Sequence, residues 1–171
     1  MRGSGAGFPG TRERPSRGLG QSPSNLVDQD VPLSEYRFTR RVNFYETDAA
    51  GIVHFSWFFR YMEEAEHALW RAAGLSIHGT NSEIGFPRVS TSFEFHRPLR
   101  FEQEFEVWLR ISAMTRKTIR YTCVLSRDNE KVATGTLIIA CVRHQPNQPM
   151  TAIEIPSEIA ARFQVALDVG A

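Results

Sequence analysis

The sequence predicts an α+β domain, with one curled antiparallel sheet of about five strands wrapped around a single long helix. Three observations carry this expectation. Only one stretch, from Ser56 to Gly74, places apolar residues at three- and four-residue steps. Several other runs alternate apolar and polar residues with the period of a strand. The turns between the last four runs are too short for parallel crossovers, so those strands must pair as hairpins.

The first run sets Tyr36, Phe38, Val42 and Phe44 against Arg37, Thr39, Arg41 and Asn43, a strand with one buried face. Glu46 to Gly51 breaks it with a Thr-Asp-Ala-Ala-Gly turn. In the helix, Phe58, Met62, Ala65, Leu69 and Ala72 share a face, while Arg60, Glu63, Glu64 and Arg71 lie on others. Ser56 is its expected N-cap, and Gly74 stands where a left-handed residue ends a helix. A polar loop, His78 to Ser82, leads to four strands: Val89 to Phe95, Glu104 to Ile111, Lys117 to Ser126 and Val132 to Val142. The last contains Leu137-Ile138-Ile139-Ala140-Cys141-Val142, without polar alternation, which predicts cover on both faces. One helix cannot supply two covers, and Trp108 falls on an otherwise polar face. A homodimer or homotetramer is therefore expected. Pro156 to Ala166 reads as a short terminal helix.

The domain divides into a Gly/Pro/Arg-rich leader over 1–33, a folded body over 34–145 and an extension over 146–171. The leader is expected to be disordered, having little to bury. It lacks the apolar core of a secretory signal, and its Gly and Pro residues break the amphipathic helix of a mitochondrial presequence. Gly5-Ala6-Gly7-Phe8-Pro9-Gly10 has the GxGxxG spacing of a dinucleotide loop, but no strand precedes it and Pro9 blocks the helix it requires. Twenty Lys and Arg against nineteen Asp and Glu create no broad field for nucleic acid. No run approaches the roughly twenty apolar residues of a membrane span. Cys123 and Cys141 lie in apolar strands without CxxC spacing, as buried thiols in a reducing compartment would, and the cytoplasm is the expected location.

The chemistry concentrates in Arg41-Val42-Asn43-Phe44-Tyr45-Glu46-Thr47-Asp48-Ala49-Ala50-Gly51-Ile52-Val53-His54-Phe55-Ser56-Trp57-Phe58-Phe59-Arg60-Tyr61-Met62-Glu63. A carboxylate, Asp48, precedes the start of a helix, whose first N–H groups carry partial positive charge and can hold an oxyanion. Such a carboxylate can attack a carbonyl or activate water. An Asp in this position can also simply cap a turn.

This segment resembles the signature of the 4-hydroxybenzoyl-CoA thioesterase family, hot-dog-fold enzymes that include the Tol–Pal-associated acyl-CoA thioesterases. Arg41, Val42, Thr47, Asp48, Gly51, Val53, Ser56 and Glu63 fall in register with the family pattern. Phe58 departs from it, standing where the family has Tyr and lacking that hydroxyl. The likeness runs from Tyr36 to Arg143 and says nothing about the acyl group.

The resemblance implies a hot-dog fold and hydrolysis of an acyl-CoA or acyl-carrier-protein thioester to free acid and thiol. It implies no metal or organic cofactor, coenzyme A being part of the substrate. Asp48 becomes the nucleophile or general base, and the backbone N–H of Phe55 the oxyanion site. His54 is a further candidate for polarising the carbonyl. Gly51, Val53, Phe58, Tyr61 and Met62 would surround the acyl group, and Arg116 and Lys117, in a basic hairpin, would meet the CoA phosphates. Arg97 and Arg100, flanking Pro98, are the alternative phosphate contacts. Two readings stay beside this one: a hot-dog protein that binds such thioesters with little turnover, and a hydrolase of one aromatic CoA ester, such as a naphthoyl-CoA. Glu64 and His67 form a Glu-x-x-His pair, but di-iron sites need two copies on facing helices.

Overall fold

The computed structural model describes residues 31–78, 83–145 and 147–167. The expected disorder of the leader therefore falls, up to residue 30, outside the described residues. The strand β1 (Glu35–Arg41) is followed by one 3-10 turn (Phe44–Glu46) and then the long helix α1 (Phe55–Ala72). The remaining elements are β2 (Ile84–Gly85), β3 (Arg88–Phe95), β4 (Glu104–Met114), β5 (Thr118–Arg127), β6 (Glu130–Ala140), β7 (Val142–Arg143), β8 (Thr151–Ala152) and α2 (Ser157–Ala160). Five strands form one antiparallel sheet in the order β1-β4-β5-β6-β3. The long helix packs across it, and the architecture is the α+β hot-dog fold that the sequence predicts.

Alternation explains the core. Val107, Leu109 and Ile111 of β4, Ile119, Tyr121, Cys123 and Leu125 of β5, and Leu137 and Ile139 of β6 all point at the helix and are buried. The helix answers with Phe58, Tyr61, Met62, Ala65, Leu69 and Trp70. Gly74 has φ +74° and closes α1 in a Schellman motif: its N–H donates to the Arg71 carbonyl and that of Leu75 to the Trp70 carbonyl. The C-terminal segment returns to the same core, where Ile155 and Phe163 are buried and Leu33 bridges Phe163. Its helix is the single turn α2, shorter than the predicted stretch.

Several expectations need correction. Strand β1 ends at Arg41, so Phe44 leaves the buried face and is 74% exposed; a 3-10 turn puts Glu46 inside instead. The N-cap of α1 is His54, not Ser56: its Nδ1 accepts from the Ser56 N–H. Within one chain Thr134, Thr136 and Ile138 on the outer side of β6 are half-buried, so the expected second cover would have to come from another chain. Trp108 is half-covered by this chain's own guanidinium groups, Arg37 at 3.6 Å and Arg110 at 4.8 Å from its ring. Among the exposed apolar side chains of the described residues, Val89 at 59% and Phe95 at 50% lie on the edge strand β3. A small second sheet, β2-β7-β8, has no counterpart in the sequence reading.

No described helix is long and apolar enough to cross a membrane. Cys123 and Cys141 are both buried free thiols, and burial pushes the Cys123 thiol up to about 12.

Candidate active site

The chain between β1 and α1 is a tightly bonded loop. At its entrance the Val42 N–H donates to the Gln103 carbonyl, and the Glu102 N–H returns a bond to the Val42 carbonyl. Asn43 and Glu46 form a capping box, with the Asn43 N–H donating to Glu46 Oε2 at 2.8 Å. Thr47 then bridges Val53 in antiparallel fashion, which makes Asp48 to Ile52 a small hairpin. The Asp48 N–H donates to the Ile52 carbonyl and the Gly51 N–H to the Asp48 carbonyl, both at 2.9 Å. Gly51 has φ +70°, a conformation that β-carbon sterics make costly for other residues. At the exit the His54 N–H donates to the Glu46 carbonyl at 2.9 Å.

Asp48 Oδ1 accepts from the Ala50 N–H at 2.8 Å and from the Ile52 N–H at 3.5 Å, which orients the carboxylate and leaves Oδ2 without a bond among the described residues. Asp48 lines a cavity of about 480 Å³ together with Val53, Phe55, Phe58, Phe95 and Leu99. Its rim includes His96, whose Nε2 lies 3.2 Å from Thr134 Oγ1, and Arg97, paired with Glu130 at 2.9 Å. Phe58 meets Phe95 edge-on at 5.0 Å between centroids, so the cavity wall is aromatic. Phe55 is the first residue of α1, and its N–H has no partner within the helix. The next two N–H groups are engaged by His54: Ser56 bonds Nδ1 and Trp57 the carbonyl.

The predicted residues thus fall into three groups. Asp48, Val53, Phe55 and Phe58 meet at the cavity, and Gly51 shapes the turn that presents Asp48. Tyr61 and Met62 are enclosed behind it and are not among its lining; the Tyr61 hydroxyl donates to Glu46 Oε2 at 2.9 Å. His54 caps the helix, with its ring against Phe55. Arg116 and Lys117 stand apart, at the end of β4 remote from Arg41 and the Asp48 loop. There Arg116 pairs with Glu154 at 3.2 Å. Arg100 lies much closer: its Nη1 would be 3.9 Å from a β-carbon at Gly51. Of the Glu-x-x-His pair, Glu64 is held by Arg40, while His67 Nε2 lies 3.4 Å from Arg88. The buried neighbour Glu66 also bonds Arg88, and burial pushes its carboxyl up to about 7 despite that partner.

Phe95, His96 and Leu99 were missed as site residues because they come from the end of β3 and the segment after it, which the bond from the Val53 N–H to the Leu99 carbonyl at 2.8 Å joins to the loop. Glu46 was missed although the Asn43-x-x-Glu46 spacing of a capping box was readable.

The chain belongs to the thioesterase-like superfamily, which it matches over residues 42–163. It is 30% identical over 139 residues to the 1,4-dihydroxy-2-naphthoyl-CoA hydrolase of Synechococcus elongatus, covering 80% of this chain and all of that one. The crystal structure of a hypothetical protein from Aquifex aeolicus superposes with a TM-score of 0.69 at 28% identity, over 75% of this chain and 99% of that one. A gentisyl-coenzyme A thioesterase structure gives 0.65 at 25% identity, over 73% and 99%. Membership of this superfamily supports hydrolase activity on acyl-CoA-like thioesters.

Proposed function

We propose that this protein is an acyl-CoA thioesterase that hydrolyses its ester with Asp48, and that the acyl group is aromatic. The observation that supports the reading is that Asp48 and Phe55, the first residue of α1, line one cavity. With the thioester carbonyl there, Asp48 Oδ2 either attacks the carbon or takes a proton from an attacking water. Negative charge builds on the carbonyl oxygen, and the Phe55 N–H at the positive end of the helix stabilises it. The carbon–sulfur bond then breaks, CoA leaves as the thiolate, and water supplies the oxygen of the free acid. Neither route calls for a metal or organic cofactor. The aromatic preference rests on the Phe55, Phe58 and Phe95 walls and on the aromatic esters named for two of the similar proteins.

The phosphate handle is the second part of the proposal. Strand β4 spans 11 residues, a reach of up to roughly 33 Å at ~3.3 Å per residue, and Arg116 and Lys117 follow its end remote from the Asp48 loop. Within one chain the basic hairpin and Asp48 thus belong to opposite ends of β4, which favours a hairpin supplied by a second chain. Antiparallel pairing of two β3 edges about Ser92 would reverse the second sheet end for end. It would set Val89 opposite the partner's Phe95, cover both exposed side chains and bring the partner's basic hairpin to this Asp48. The β1 edge, with Arg37, Arg40 and Arg41, is the poorer candidate. The homodimer is therefore the functional unit, and the buried thiols fit a reducing compartment such as the cytoplasm.

Thiol release measured across aliphatic and aromatic CoA esters tests the function. Benzoyl or naphthoyl esters are expected to lead; absence of turnover on every CoA and acyl-carrier-protein ester would favour a binding protein. Replacing Arg116 and Lys117 together by Ala is expected to raise KM for the CoA ester severalfold with kcat unchanged. An acyl-N-acetylcysteamine ester, which lacks the nucleotide, should be unaffected. Equal losses on both esters would make the hairpin structural and leave Arg97 and Arg100 as the phosphate contacts. Sedimentation at micromolar concentration is expected to give a dimer or larger, and an active monomer would refute the shared site.

A further inference from the structure

Glu46 is a fully buried carboxylate with no step in the hydrolysis just described. It lies two residues before Asp48. Its Oε2 accepts from the Asn43 N–H at 2.8 Å and the Tyr61 hydroxyl at 2.9 Å, while Oε1 accepts from Arg40 Nη2 at 2.6 Å. Its backbone N–H donates to the Asn43 carbonyl at 3.1 Å, and its carbonyl receives the His54 N–H at 2.9 Å. One residue thus binds the entrance of the loop, its exit, the neighbouring strand β1 and the middle of α1. Arg40 doubles the link to the helix, pairing also with Glu64 and lying 4.9 Å from the centre of the Tyr61 ring.

Burial alone would raise the Glu46 carboxyl, but the Asn43 N–H, Arg40 and Tyr61 outweigh it and hold it below the ordinary glutamate value. It is therefore an ionised group inside the fold. Buried ion pairs seldom stabilise a protein more than apolar side chains of equal volume, so stability is a weak reason for a charge here. Converging hydrogen bonds to a charge do fix direction, which apolar contacts do not. What they fix here is the pair of stems that carry Asp48 on one side and the Phe55 N–H on the other. Misplacement by about 1 Å is enough to cost on the order of a hundredfold in rate.

We propose that Glu46 is the positioning residue of this site: by tying both stems of the loop to β1 and α1, it sets Asp48 at its working distance from the Phe55 N–H. The proposal rests on the reading of Asp48 as the reacting carboxylate. Glu46→Gln is nearly isosteric and keeps an acceptor for Asn43, but it loses the charge that holds Arg40. At a temperature where circular dichroism shows the variant fully folded, kcat on the preferred CoA ester is expected to fall at least about tenfold, with KM changed less than about twofold. Ile119→Val, a core change in β5 away from the loop, should keep kcat even though it also lowers the melting temperature. A folded Glu46→Gln protein with wild-type kcat overturns the proposal. If that variant does not fold, Tyr61→Phe decides: removal of one donor should lower kcat severalfold at constant KM, and an unchanged kcat overturns it. Asp48→Asn separates the two readings. If Asp48→Asn is inactive and Glu46→Gln is not, positioning alone fails; if Asp48→Asn stays active, both fail.

Discussion

Asp48→Asn is expected to lower kcat by on the order of a hundredfold or more, equivalent to about 2.7 kcal/mol of transition-state stabilisation. The amide oxygen of Asn can still accept from the Ala50 N–H, which lies 2.8 Å from the native carboxylate, so the turn should survive. What is lost is the second, unbonded oxygen with its charge, and an amide neither attacks a thioester nor takes a proton from water near neutral pH. KM should change little, because the cavity walls Val53, Phe58, Phe95 and Leu99 are untouched. Stopped-flow or steady-state thiol release, beside a melting curve to confirm folding, measures this directly. Near-normal turnover by the folded variant would remove Asp48 from the chemistry and move attention to His54 and His96.

Trp70→Ala is expected to be the most damaging single truncation in the core. Trp70 is fully buried in the last turns of α1 and packs on Phe86 at 4.8 Å and Phe163 at 5.1 Å between centroids. It therefore joins the helix both to the chain entering β3 and to the C-terminal segment. Its Nε1 donates to the Tyr121 hydroxyl at 3.0 Å, deep in β5. Truncation removes the transfer energy of the indole and leaves a cavity, about 3–5 kcal/mol together. It also strips the buried Tyr121 hydroxyl of its donor. Against a total stability of roughly 5–15 kcal/mol, that is enough to shift the urea midpoint strongly or prevent folding at 37 °C. Trp70→Phe separates the two contributions: it keeps most of the packing and should cost only about 1–2 kcal/mol. Equal midpoints for the Ala variant and the native protein would mean that the C-terminal segment is not held by this residue.

The same physics decides which features were legible beforehand. Period-two runs such as Phe105, Val107, Leu109 and Ile111 became buried strands because each residue's face depends only on its neighbours in sequence. The helix end at Gly74 was readable for the same local reason, since its backbone angle favours glycine. Errors came where long-range contacts overrule local pattern. Phe44 fits the strand period, yet Asn43 and Glu46 turn the chain before it. Ser56 is a good N-cap residue, yet the bond from the His54 N–H to Glu46 fixes the helix start two residues earlier.

By itself, the sequence determined the order and type of the main elements, the Asp48 turn before the helix and the resemblance to thioesterases. All of these reside in contiguous residues whose spacing expresses backbone geometry. Only the tertiary structure decided that Phe95, His96 and Leu99 complete the cavity, that Tyr61 serves Glu46 rather than lining it, and that Arg116 lies at the far end of the sheet from Asp48. Those facts follow from contacts between residues far apart in the chain: the Val53 N–H to the Leu99 carbonyl, the Tyr61 hydroxyl to Glu46 and the pairing of β1 with β4. Strand order is chosen by the burial of whole faces against one another, a sum over many side chains that no local spacing records.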